Sequence, residues 1–226
     1  RAMEPPMVWV DMEFDRSPSE LLWVDSEKWG PLNGSLLSFS YGFGKIQLVL
    51  TETVNGQRQG GVIDIPGVKF LTGIMRGRFN PEDGHLYACG MSAWGTTQMQ
   101  QGGGLYRVRY TGKPITMPIA LNAMQSGIKL SFASKLEASK AADSGNYEVK
   151  TWDIVRSRAY GSGRFDKKTL AISKVVLQPD GKSVVLYMKD IERVDGMTIS
   201  YIISDTDGNE LKGTVQNTIN ELASTD

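Results

Sequence analysis

The chain has a single histidine, His85, so any Ser-His-Asp triad or histidine-bearing metal site must use it. It follows Asp83-Gly84 at a turn and strand start, where an exposed side chain on a rim is the expected state, and a metal site needs several suitable ligands. Arg76 and Arg78 lie two residues apart and therefore point to one face of a strand. Two guanidinium forks there suit a carboxylated cofactor or an acidic sugar, while bonding to neighbouring carbonyls is the structural alternative and the favoured one. Five tryptophans, Trp9, Trp23, Trp29, Trp94 and Trp152, offer indole faces on which a sugar can stack. Trp94 is the best candidate for substrate contact, because Ser92–Gln101 is a Thr-, Gln- and Gly-rich loop of solvent-facing composition. The other four are expected to plug gaps between sheets.

Other motifs read as structure. Cys89 is the only cysteine, which excludes an internal disulfide and a cysteine-rich zinc or iron–sulfur site. Asp180-Gly181 and Asp205-Thr206-Asp207-Gly208-Asn209 are acidic, but the second lacks the spacing and the terminal Glu of a calcium loop, so both read as hairpin turns. Gly102–Gly104 neither precedes Lys-Ser or Lys-Thr nor opens a helix, so it is not a phosphate loop. Asn33-Gly34-Ser35 fits the N-glycosylation acceptor pattern, which is short and common by chance. These residues do not compose a catalytic set.

The elements that position these residues are strands. With 226 residues, 40% hydrophobic and 22% charged, the chain can build a real core in one large or two ordinary domains. Lys plus Arg equals Asp plus Glu at 25 each, leaving no excess charge to attract a polyanion, so nucleic acid is not an expected partner. No apolar run approaches the roughly 20 residues of a membrane span. Arg1-Ala2-Met3 does not read as a natural start, so the chain is taken as a fragment whose targeting signal would lie upstream.

Strand-like runs occur at Leu36–Tyr41, Lys45–Val54, Gly61–Ile65, Phe70–Phe79, His85–Met91 and Leu105–Tyr110. Gly42-Phe43-Gly44, Asn55-Gly56, Pro66-Gly67 and Asp83-Gly84 separate them, and Asn-Gly and Asp-Gly favour the positive φ of two-residue hairpins. Proline and glycine from Thr111 to Pro118 mark a domain boundary. Beyond it, Ile128, Leu130 and Phe132 alternate, as do Met197, Ile199, Tyr201 and Ile203, and further strands are expected at Tyr147–Trp152, Val175–Leu177, Val184–Met188 and Leu211–Thr218. One short helix is expected at Glu137 to Asp143, ended by Gly145. The expected fold is all-β: about two blades of a β-propeller over residues 1–113, then an immunoglobulin- or fibronectin-like sandwich over 118–222. Blades cut from a ring would leave apolar residues in Lys45–Leu50 and Val62–Ile65 uncovered.

Residues 76–90, RGRFNPEDGHLYACG, and 102–114, GGGLYRVRYTGKP, resemble the last propeller blade of bacterial sorbosone and glucose dehydrogenase-like proteins. Residues 29–42 and 59–67 resemble the preceding blade, and Asn146-Tyr147, Trp152, Tyr160-Gly161-Ser162 and Asn217-Thr218-Ile219 resemble the β-domain that follows it. The resemblance implies the C-terminal, non-catalytic part of a secreted or periplasmic quinoprotein-type sugar dehydrogenase. It also implies pyrroloquinoline quinone, calcium and haem c in the full-length parent, and upstream blades and a cytochrome c domain as partners. This chain has no Cys-x-x-Cys-His haem attachment, and no cofactor is assigned to it; Arg76 and Arg78 are its only candidate quinone contacts. A carbohydrate- or protein-binding β-module is the competing reading.

Overall fold

The computed structural model describes residues 3–224. The strand pairs with a described register are all antiparallel, and among the described residues no sheet closes into a barrel. The chain divides into two compact units: residues 12–49 with 64–114, and residues 1–11 with 50–63 and 115–226. Residues 1–11 and 50–63, assigned to the first domain by the sequence reading, thus cluster with residues 115–226.

The unit of residues 12–49 and 64–114 contains β1 (Pro18–Trp23), β2 (Leu36–Ser40), the start of β3 (Lys45–Val54) and the end of β4 (Gln57–Lys69), in an up-and-down order. A second meander is formed by β5 (Gly73–Phe79), β6 (Leu86–Met91) and β7 (Gly103–Val108). Leu37, Phe39, Ile46, Leu48, Ile74, Leu86 and Ala88 make its core. Glycine brings the two meanders close, since a Cβ on Gly77 would stand 2.5 Å from the Phe39 ring. Ser19 of β1 donates to the Ile74 carbonyl at 2.6 Å. Lys45–Leu50 and Val62–Ile63 are buried and only Ile65 is half-buried, so the expected uncovered apolar face is absent from these strands. The correction has a simple cause: β3 and β4 lie inside a sheet, between β2 and β15, and not at a cut edge.

The tips of β3 and β4 meet at Asn55 (φ 49°) and Gly56 (φ 83°), the doubly positive turn that Asn-Gly favours. The β4 tip pairs through Gly60, Gly61 and Val62 with β15 (Glu210–Ile219). A Cβ on Gly61 would lie 2.8 Å from the Gln216 carbonyl of β15, and one on Gly60 1.8 Å from the Leu50 carbonyl of β3, so each approach needs a glycine. From β15 the sheet continues through β14 (Val194–Ser204) and β10 (Tyr147–Ile154) to β11 (Arg164–Leu170). A facing sheet has the order β12 (Ile172–Leu177), β13 (Ser183–Met188), β9 (Gly127–Phe132), β8 (Pro118–Met124). Inward alternation puts Leu130, Phe132, Leu186, Val149, Ile199 and Tyr201 in the core, with Phe132 edge-on to Tyr201 at 5.6 Å.

Helix α1 covers Ala138–Ala142, with Glu137 as a cap that accepts from the Ser139 and Lys140 amides. It ends before Gly145, because Asp143 turns extended and caps a following 3-10 turn. Pro66-Gly67 does not break β4 but sits within it, and Pro118 starts β8, a position that needs no ladder donor. Strands β1, β8 and β11 were not expected. Among the described residues no helix is long and apolar enough to cross a membrane.

Candidate functional site

In the unit of residues 12–49 and 64–114, two loops and one extended segment converge around the turn that joins β2 to β3. Gly42 permits this approach: a Cβ there would lie 2.3 Å from Arg16 Cγ and 2.4 Å from the Arg16 carbonyl. Gly44 (φ 56°) is equally confined, with Met99 Sδ 2.6 Å from where its Cβ would be. The turn is held from below by Ser40, whose hydroxyl donates to Asp15 and accepts from the Phe43 amide at 3.0 Å.

The β6–β7 loop docks on the same turn through the Gln98 amide to the Gly42 carbonyl (2.7 Å) and Thr97 Oγ1 to the Tyr41 carbonyl (3.0 Å). The Trp94 amide donates to the Tyr41 hydroxyl at 2.6 Å, and the two rings lie 5.4 Å apart. This anchoring leaves the Trp94 side chain 56% exposed on a fixed backbone. Trp23 at the end of β1 is 57% exposed as well, so it plugs no gap, whereas Trp29 and Trp152 are buried.

These loops line an open cleft of about 260 Å³. Phe14, Phe43, Phe70 and Met99 form its apolar wall, and Glu13, Lys45, Asp64 and Lys69 bring two charges of each sign. Lys45 is the structural centre, with a side chain only 9% exposed. Its ammonium donates to the Phe14 carbonyl at 2.7 Å, pairs with Asp64 at 2.8 Å, and lies 4.9 Å and 5.4 Å from the centroids of Phe14 and Phe43. Such a cation, partnered by a carbonyl, a carboxylate and two ring faces, fixes the walls. Behind it, burial raises the Asp15 carboxyl above its ordinary value, against the Ser40 hydroxyl and the Lys45 charge, which favour ionisation.

The residues singled out from sequence fall at different places. Arg76 and Arg78 share the outward face of β5, as their spacing required. Arg76 Nη1 donates to the carbonyls of Ser19 and Met75, and Arg78 Nη1 to the Gly77 carbonyl and to Glu20 at 2.8 Å. That is the structural alternative weighed for them, and neither lines the cleft. Trp94 does not line it either, but its loop supplies Met99. His85 is half-buried and not exposed, with Nδ1 3.5 Å from Asp83. The Asp83 carboxyl is held below its ordinary value by the His85 amide and the Tyr87 hydroxyl.

Sequence reasoning missed Phe14, Lys45 and Asp64, because a lysine in an apolar run carries no local sign of a partner 19 residues away. Gly42-Phe43-Gly44 was visible as a turn, and a lone aromatic between two glycines was the available signal.

The other unit holds a polar cluster on the outer side of its larger sheet. Arg164 lies 4.4 Å over the Trp152 ring and donates twice to Asp11, which also accepts from Gln216 Nε2 at 2.6 Å. It is built as a clamp: Asp11 is buried, and the Trp152 ring lies so close over Gly196 that a Cβ there would be 2.2 Å from Nε1. Comparison with protein-family models, with curated proteins and with solved structures gives no match to this chain.

Proposed function

We propose that this chain is a non-catalytic binding module that takes a neutral carbohydrate in the Phe14–Phe43–Phe70 cleft. The observation that carries the reading is the state of Lys45: its charge is already taken up by Asp64, the Phe14 carbonyl and two rings. What faces a ligand is therefore aromatic surface rimmed by polar groups of balanced charge, which suits a molecule with an apolar C–H face and hydroxyls around it. A quaternary ammonium is disfavoured because the cation position between Phe14 and Phe43 is occupied. A uronic acid meets as many carboxylates as ammonium groups. The test is calorimetric and NMR titration with neutral mono- and oligosaccharides beside glucuronate. Saturable binding of a neutral sugar that is lost in Phe43→Ala supports the reading; binding of glucuronate alone, or of no sugar, overturns it.

A broader placement goes with it. Within residues 115–226, the orders β12-β13-β9-β8 and β15-β14-β10-β11 are those of an immunoglobulin-type sandwich, D-E-B-A facing G-F-C-C′, which supports that assignment. The successive meanders β1 to β4 and β5 to β7 support blade-like packing before it. On this reading the chain is the C-terminal, supporting part of a periplasmic or extracellular sorbosone or glucose dehydrogenase-like protein. Its upstream blades and cytochrome c domain would carry quinone, calcium and haem. Absorbance spectra of the purified full-length parent test it: bound quinone or haem is expected, and a parent lacking both removes the placement while leaving the sugar titration to be judged alone.

A further inference from the structure

The carboxylate of Asp64 stands at the cleft in a fixed posture. Lys45 bridges it, with Nζ 2.8 Å from Oδ1 and 3.0 Å from Oδ2, and the Gln47 side-chain amide donates to Oδ1 at 3.1 Å. Both holders are buried, Gln47 at 1% and the Lys45 side chain at 9% exposure, whereas the Asp64 side chain is 48% exposed. A half-exposed carboxylate held by two buried donors has lost its rotamer freedom before any ligand arrives. Of its roughly four acceptor sites, Lys45 and Gln47 take about three, and what is left lies on Oδ2. Because Lys45 meets its charge, Asp64 offers a ligand a lone pair rather than net charge.

Lys69 supplies the opposite capacity: it lines the same cleft and has no hydrogen-bond or ion-pair partner among the described residues. Asp64 and Lys69 are five positions apart on β4, a spacing that puts side chains on opposite faces of a regular strand. Gly67 between them has φ 75°, a left-handed conformation that breaks the alternation. A Cβ there would meet nothing within 4 Å, so the glycine serves its φ and not a close approach. The break brings an oriented acceptor and a free donor to one aromatic cleft.

We infer that the cleft selects its sugar through two hydroxyls of one ring, the first donating to Asp64 Oδ2 and the second accepting from Lys69. This rests on the sugar reading above and adds which hydroxyl chemistry is read, and by which residues. At about 260 Å³ the cleft lies below the range of drug-sized pockets, so both contacts fall on a single ring. A hydroxyl fits Asp64 where an ammonium does not, since Lys45 already stands against the carboxylate and repels a second cation.

The test titrates the whole chain by calorimetry with methyl glucoside, galactoside and mannoside, with the monodeoxy derivatives of whichever binds, and with methyl glucosaminide. Expected is a loss of about tenfold or more in affinity on deleting one hydroxyl, a penalty that disappears in Asp64→Ala, and a like penalty at a second hydroxyl that disappears in Lys69→Met. Asp64→Ala takes a partner from Lys45, so its fold is checked by circular dichroism. If it does not fold, Lys69→Met, whose ammonium holds nothing in place, decides together with the deoxy series on the parent chain. Equal binding of every monodeoxy sugar, or both penalties intact in Lys69→Met, overturns the inference, while loss of binding in Phe43→Ala still upholds the sugar reading. Tighter binding of the glucosaminide that Asp64→Ala removes also overturns it, because Asp64 then takes an ammonium. Binding of no sugar overturns the reading and this inference with it.

Discussion

Arg164→Met is expected to be the most destabilising single change on the outer side of the larger sheet, and the size of the effect follows from what surrounds Asp11. Its carboxylate is only 6% exposed and accepts from Arg164 Nε at 3.1 Å, Arg164 Nη2 at 2.7 Å and Gln216 at 2.6 Å. Removing the guanidinium deletes two of these bonds to a buried carboxylate, a loss of about 3–5 kcal/mol where both partners are buried. Arg164 is itself 27% exposed, so water re-enters part of the gap and the expectation falls to about 2–4 kcal/mol. Methionine keeps the contact with the Trp152 face but not its cation–π component, about 0.5–1 kcal/mol of that total. The assay is urea unfolding followed by tryptophan fluorescence, with a midpoint fall equivalent to about 10 °C in melting temperature. The double variant Asp11→Asn with Arg164→Met is expected to lose less than the sum of the two single changes, since each single change already removes the hydrogen bonds the two residues share. A single-variant loss under about 1 kcal/mol, or strict additivity in the double, refutes the reasoning.

Two further outcomes follow from the same geometry. Gly196→Ala puts a methyl carbon 2.2 Å from the Trp152 indole, which must move; about 1–3 kcal/mol is expected to be lost, visible as a lower melting temperature with altered tryptophan emission. Burial raises the Asp15 carboxyl, so the folded state holds the proton more tightly than the unfolded one. Its contribution is therefore fully present below the ordinary value of 3.8 and is lost as pH rises through the folded value. Asp15→Asn keeps an acceptor for Ser40 without the charge. Its stability relative to the parent is expected to rise with pH across that window, and a constant difference in urea midpoints from pH 3 to pH 7 refutes the assignment.

The parts of the fold that were legible in the sequence were those with a local cause. Asn55-Gly56 announces its hairpin because both residues take positive φ, and Ile128, Leu130 and Phe132 announce β9 because one face meets the core. Strand β11 was illegible for the opposite reason: Arg164–Leu170 is a mostly exposed edge in which five consecutive residues show no buried face, so no alternation exists to be read. The assignment of Leu50–Ile63 to the later unit depends on Gly61 admitting a strand more than 150 positions away, as its pairing with Asn217 shows. The cleft was legible only in pieces. The Gly42-Phe43-Gly44 turn is a local signal, whereas Lys45 and Asp64 acquire their meaning from rings that only the folded chain brings to them.

The seam between residues 6–11 and β15 bears on the order in which the chain can fold as it leaves the ribosome. The Trp9 amide donates to Thr218 Oγ1 across 209 positions, and Asn220 Nδ2 to the Pro6 carbonyl across 214. Residues 12–49 and 64–114 form a compact unit that is translated ahead of β15 and can condense as it emerges. The hairpin tip at Gly60-Gly61-Val62 and the segment around Trp9 have no such option, and their closure waits for the last strand. Until then the tip is an unpaired strand edge of small, uncharged residues, the kind of surface that a chaperone or a neighbouring nascent chain reaches first.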